Sequence, residues 1–175
     1  FRGLETMAIR LLDYPKACIN GEEHRISLRD FHFDSSLEKV LERVGFPGLH
    51  IITGRPGVGK TTLAYLLLAE AFKEGQVMTI ERHVEIKDVS FCQLQVNDVN
   101  RMDYDALVTF VPRFNPNVLF IGEANTQEEV EAVLKAVSEG LSVVTTAYKD
   151  DFSIPHDVLE MKQGQDGKRN VAFIK

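Results

Sequence analysis

The chain has 175 residues, 26 acidic against 20 basic side chains, a formal charge of −6 and 44% hydrophobic residues. That length suits one domain of ordinary size whose core stands without staples, and an acidic balance with no basic stripe argues against a nucleic-acid surface. No apolar run approaches the roughly 20 residues that cross a bilayer, so direct membrane insertion is not expected; the longest, Leu63 to Ala71, is broken by Tyr65 and Glu70.

The first residues lack the basic-then-apolar pattern of a secretory leader, and a cytoplasmic chain is expected. Cys18 and Cys92 show no metal or redox spacing, and His24, His32, His50, His83 and His156 are scattered, so no metal centre is predicted from them. In residues 1 to 35, "MAIRLL" and "ACINGEEHRISL" read as short strands with a turn signal at Asn20-Gly21. Ser35 or Ser36 then caps a helix in which Leu37, Val40, Leu41 and Val44 recur at helical spacing, stopped by Gly45 and Pro47.

From residue 49 strands and helices alternate. "LHIIT" reads as a strand, Thr61 to Glu74 as a helix ended by Gly75, and "QVMTIE" and "VSFCQLQV" as strands. "MDYDALVTFVPRF" begins as a helix that stops near Pro112, "NVLFIGEA" is an apolar strand, and "TQEEVEAVLKAVSEG" is a Thr-capped helix ended by Gly140. "LSVVTTAY" is a further strand, and "DVLEMKQGQDGKRNVAFIK" reads as a hairpin about Asp166-Gly167. The near-continuous apolar runs suit strands covered on both faces. The predicted fold is α/β: an open, mostly parallel sheet flanked by helices, with a short β-rich N-terminal segment and a C-terminal hairpin.

Between the first of these strands and its helix stands Gly54-Arg55-Pro56-Gly57-Val58-Gly59-Lys60-Thr61, followed by Thr62, which fits G-x-x-x-x-G-K-[ST]. The glycines let backbone N–H groups turn toward phosphate oxygens, the helix aims its positive end there, and Lys60 reaches the outer phosphates. Thr61 offers a hydroxyl to Mg²⁺, so ATP and Mg²⁺ are the expected ligands and residues 54 to 62 the expected binding segment. The competing reading is a tight turn with an ordinary helix cap.

Hydrolysis also needs a group that positions water. "NVLFIGEA" delivers Glu123 at the end of an apolar strand, beside the expected phosphate site, either to orient water or to cap the helix that follows. "MTIERHVE" offers Glu81 in the same way, with Glu85 four residues on; the alternative for Glu81 is a surface acid at a strand terminus.

These pieces together resemble the type II/type IV secretion and pilus ATPases, a RecA-like P-loop family, from about Ala8 to Asp150. The family's G-P-T-G-S-G-K-[ST]-T stands here as "GRPGVGKTT", its T-I-E-D-P-x-E as "TIERHVE", its Q-x-x-V as "QLQV", and its V-I-L-V-G-E-x-R-D as "VLFIGEANT". "YDALVTFVPRFNPN" echoes the arginine-bearing segment between them, with Arg113 and Pro116 in register. The resemblance places Glu123 at the family's catalytic glutamate, gives Glu81 a supporting role, and makes Arg10 in "AIRLLD" a candidate arginine finger for a neighbouring subunit, with a strand-edge arginine as the alternative. It also implies a hexameric ring, partners in secretion or pilus machinery at the inner membrane, and a division into residues 1–35, a remnant of an N-terminal domain or linker, and residues 36–175, the RecA-like ATPase domain.

The departures are specific. Arg82 and His83 replace the aspartate and proline, Asn125 the arginine after the glutamate, Thr109 an arginine, and Tyr148 the family's histidine, where it either keeps a hydrogen-bonding role or simply packs. The expected function is an ATP-hydrolysing motor subunit, with turnover that is slow or depends on partners. The alternatives are a nucleotide-binding regulatory or structural subunit, and a small-molecule kinase or nucleic-acid ATPase, which the short strand-like tail and the acidic balance disfavour.

Overall fold

The computed structural model describes residues 16–19, 22–150, 152–165 and 167–174, with side chains from residue 25 onward. The strand expected in "MAIRLL", Arg10, the Asn20-Gly21 turn and Asp166 lie outside the described residues, as does the side chain of Cys18.

An antiparallel pair, β1 (Lys16–Ile19) and β2 (Glu22–Arg25), precedes the main body. A third strand, β3 (Phe31–Phe33), was not foreseen: three residues are too few for alternation to register, yet they pair in parallel with the C-terminal strand. The helix α1 (Leu37–Gly45) takes Ser36, not Ser35, as its cap. Then come β4 (Leu49–Gly54), α2 (Lys60–Ala71) and β5 (Val77–Glu81). The helix α2 is shorter at its C-terminus than expected, closing at Phe72 before Gly75.

The strand β6 covers only Cys92–Gln95 of the expected "VSFCQLQV", because Val89 and Ser90 are exposed and Asp88 turns the chain through its hydrogen bonds to Ser90. The helix α3 (Tyr104–Phe110) tightens into a 3-10 turn, Val111–Phe114, where Pro112 removes a backbone donor. After it run β7 (Val118–Glu123), α4 (Gln127–Ser138), β8 (Val143–Ala147), β9 (Asp157–Gln163) and β10 (Arg169–Phe173).

Eight strands form one sheet in the order β3-β10-β9-β4-β8-β7-β5-β6, parallel at every pairing except β9 with β10. Period-two alternation splits the central strands β4, β5, β7 and β8 between two cores. Ile52, Val118, Phe120 and Leu159 meet Val40 and Val44 of α1 and Leu63, Leu67 and Leu68 of α2 on one face. Ile51, Met78, Ile80, Leu119, Ile121 and Val143 meet Leu107 and Val108 of α3 and Val133 and Ala136 of α4 on the other. The expected two-faced, mostly parallel α/β sheet is the observed one. Parallel pairing also has a functional consequence: the C-terminal ends of β4, β5, β7 and β8 share one edge, the usual location of ligand sites in such sheets.

Candidate nucleotide site

Three glycines give the loop after β4 its shape. Gly54, Gly57 and Gly59 have φ of 152°, 75° and 103°, values that L side chains rarely adopt. A Cβ on Gly54 would stand 2.7 Å from the Met161 carbonyl oxygen of β9, so backbone has replaced side chain at that contact.

Gly59 is also the N-cap of α2, and it supplies no side-chain acceptor. Ser36, Asp103 and Thr126 cap α1, α3 and α4 through side-chain oxygens. The first-turn N–H groups of α2 are thus left for an outside anion, with the helix's positive end behind them.

Lys60 opens α2, is 4% exposed, and donates from Nζ to the carbonyl oxygens of Gly54 (3.1 Å) and Arg55 (3.2 Å). Burial lowers its pKa, and Glu123 pulls it back up. The ammonium also faces the Tyr148 ring, 4.8 Å from the centroid. Arg55, Pro56 and Gly57 are exposed, Val58 is buried, and Thr61 and Thr62 are half-buried on the first turn of α2.

Glu123 leaves β7 through an irregularity in its pairing with β8. Ile121 pairs with Thr145, but Glu123 pairs with Thr146, so Gly122 is the extra residue. The Thr145 hydroxyl holds the Gly122 carbonyl at 2.9 Å. Glu123 does not cap α4: that task falls to Thr126 and Glu129, which form a capping box. Its Oε2 instead accepts from Asn125 Nδ2 (3.1 Å) and lies 3.4 Å from the Tyr148 hydroxyl. The Asn125 Oδ1 in turn accepts the Tyr148 backbone N–H at 2.9 Å. Tyr148 is 46% exposed and so is not a packed core residue; it bridges Lys60 and Glu123, and the nearby carboxylate raises its pKa.

Glu81 is not a surface acid. It is 3% exposed, and its Oε1 accepts from the Thr79 hydroxyl (2.8 Å) and from the Tyr65 hydroxyl of α2. Gln93 donates to Tyr65 in turn, at 2.8 Å. A Cβ on Gly122 would stand 3.4 Å from Glu81 Cγ, so the glycine lets β5 and β7 bring their two acids close. Thr61, Glu81, Glu85 and Glu123 line one cavity of about 170 Å³. Burial pushes the Glu81 carboxyl up to about 7, against the downward pull of the Tyr65 and Thr79 hydroxyls.

A folded pKa raised above the ordinary 4.5 makes this contribution to stability fullest below about 4.5 and lost as pH rises through about 7. Denaturant unfolding of the chain and of Glu81→Gln across that window checks the point: the wild type loses up to roughly 3 kcal/mol relative to the variant. Parallel pH profiles would contradict it.

Arg82 sits where the resembled family has an aspartate, and it is not idle. It lies 3.0 Å from Glu128, 3.6 Å from Glu129 and 3.7 Å from Asp98, with its guanidinium 5.4 Å from the Tyr104 ring centroid. Because Glu129 also accepts the backbone N–H groups of Asn125 and Thr126, Arg82 ties the end of β5 to the loop that follows Glu123. Sequence reading missed Tyr65 and the two side-chain hydrogen bonds by which Asn125 links Glu123 to the Tyr148 backbone. Tyr65 lies one helical turn beyond Thr61, but nothing local marks its hydroxyl as a partner for Glu81. No group of three or more His, Cys, Asp or Glu side chains placed to hold a metal occurs among the described residues.

Residues 2–152 match the family model described as "Type II/IV secretion system protein". The chain belongs to that family. Among curated members of the secretion family, it is 36% identical over 149 residues to the competence protein ComGA of Streptococcus pneumoniae, covering 85% of this chain and 44% of that one. It is 31% identical over 105 residues to the type IV pilus assembly ATPase TfpB of Acinetobacter baylyi, covering 59% of this chain and 18% of TfpB. The chain therefore spans less than half the length of these relatives.

The fold is that of the solved secretion ATPases. The pilus retraction motor PilT with bound ADP superposes with a TM-score of 0.67 at 18% identity, over 91% of this chain and 58% of PilT. The VirB11 ATPase of the Brucella suis type IV secretion system, in complex with sulphate, gives 0.62 at 17%, over 77% and 50%. Both agree with the α/β fold expected from the sequence. No helix among the described residues is long and apolar enough to cross a membrane.

Proposed function

We propose that this chain is the ATP-binding and hydrolysing core of a motor subunit, coupling hydrolysis to the assembly or transport carried out by a secretion, pilus or competence machine. The observation that carries the reading is the meeting of Lys60 and Glu123 around Tyr148, beside the uncapped start of α2. Residues 54 to 62 hold the phosphates, with Lys60 exchanging its loop carbonyls for phosphate oxygens. Glu123 orients the attacking water, and Glu81, buried behind it, supports that water.

The residues present fit Mg²⁺: Thr61 offers a hydroxyl in the same cavity as the carboxylates of Glu81, Glu85, Glu123 and Glu129. When bound, the ion neutralises charge on the outer phosphates. Arg10 is proposed to reach the nucleotide of a neighbouring subunit in a homo-oligomeric ring. Residues 36–175 are taken as the ATPase domain, to which β3 (Phe31–Phe33) adds an edge strand, and the rest of the segment before them as a remnant of an N-terminal domain or linker. A cytoplasmic site of action, at the inner membrane through machinery partners, goes with this reading.

A second reading has its own support. Glu123 is held by Asn125 and Tyr148, and Arg82 is fully engaged by acids, as expected of a nucleotide-binding subunit with little turnover. Phosphate release from Mg·ATP separates the two: the motor releases phosphate repeatedly, whereas the regulatory subunit binds nucleotide and releases none.

A further inference from the structure

Arg169 begins β10, a strand that plays no part in the site described above. It pairs with Gln163 of β9 on one side and Phe31 of β3 on the other, which brings its side chain to the phosphate loop. Its Nε, Cδ and Cζ stand 3.6, 3.8 and 3.9 Å from the point a Cβ on Gly59 would occupy. The guanidinium rests on the Phe31 ring, 5.5 Å from the centroid.

Arg169 is half-buried, and no carboxylate among the described residues pairs with it. Arg43 and Arg82, by contrast, are engaged by acids. A partly desolvated guanidinium without a counter-ion is unfavourable, and an incoming phosphate relieves that cost. Its planar fork also matches two phosphate oxygens.

The strand order fixes which phosphates it meets. Both β9 and β10 lie on one side of β4, while β7 with Glu123 and β5 with Glu81 lie on the other. A nucleotide whose terminal phosphate sits between Lys60 and Glu123 extends its inner phosphates toward the β9–β10 side. We propose that Arg169 is a further nucleotide-binding residue of this chain, holding the inner phosphates of a nucleoside di- or triphosphate from the flank opposite Glu123. The proposal rests on the ATP-site reading.

The test titrates ADP and a non-hydrolysable ATP analogue into the whole chain, its Arg169→Gln variant and its Arg169→Lys variant. Melting without nucleotide checks that each variant folds, and Arg169→Lys keeps the stem and charge should Arg169→Gln be unstable. Arg169→Gln weakens both nucleotides alike, by about tenfold, the scale of one lost charged hydrogen bond. Arg169→Lys recovers only part, because a point charge replaces a fork. Affinities equal to wild type in both variants overturn the proposal, as does a loss confined to the triphosphate. Failure of the wild type to bind either nucleotide would sink the ATP-site reading itself, a result distinct from variants that bind as tightly as a competent wild type.

Discussion

Glu123→Gln lowers steady-state phosphate release from Mg·ATP by about a hundredfold or more, the usual scale for a positioned acid–base group, while ADP still binds. The amide keeps the shape and the contact with the Tyr148 hydroxyl but removes the charge that orients water. The extra residue Gly122 turns Glu123 out of the sheet at the parallel edge, and the α4 cap is made by other residues, so the substitution leaves the fold's own hydrogen bonds intact. Nucleotide titration beside a phosphate-release assay reads both halves. Turnover within a few-fold of wild type would move the water-positioning role elsewhere, with Glu81 next in line.

Lys60→Ala acts earlier. The side chain is 4% exposed, and burial already lowers its pKa, so the site holds a desolvated ammonium awaiting a partner of higher charge than two carbonyls. Removing it weakens ATP and ADP binding by about a hundredfold, as expected for charge-assisted bonds worth roughly 2–3 kcal/mol. Calorimetric titration of wild type and variant with both nucleotides measures this. Unchanged affinity would mean that the uncapped start of α2 suffices to bind phosphate without the lysine.

The sequence was most legible where chemistry needs a fixed local spacing. Gly54, Gly59, Lys60 and Thr61 belong to one short loop and the first turn of the helix it opens, so their geometry follows from adjacency, and α2 starts at Lys60, where the motif requires. The long apolar strands were equally plain, since burial on both faces leaves a continuous run with no turn residues. What stayed hidden depends on pairings distant in the chain. Only the parallel register of β3 with β10 makes Phe31–Phe33 a strand.

Sequence alone leaves a surface strand end open as the alternative for Glu81, because its two hydroxyl partners come from β5 itself and from α2, and its burial depends on packing that no window of residues contains. Arg82 looked like an eroded position, whereas its three acids come from two other segments. The resemblance puts Tyr148 at the family's histidine, but its contact with Lys60 arises only because β4 and β8 are neighbours in the sheet.

In the proposed ring the chain splits ATP and shares its site between copies. Phosphate release from Mg·ATP, measured per chain across a wide range of protein concentration, tests it most directly. The rate per chain is expected to rise with concentration toward a plateau, as a neighbouring subunit completes each site. Nucleotide bound at every concentration with no phosphate released would contradict it and leave the regulatory subunit as the better description.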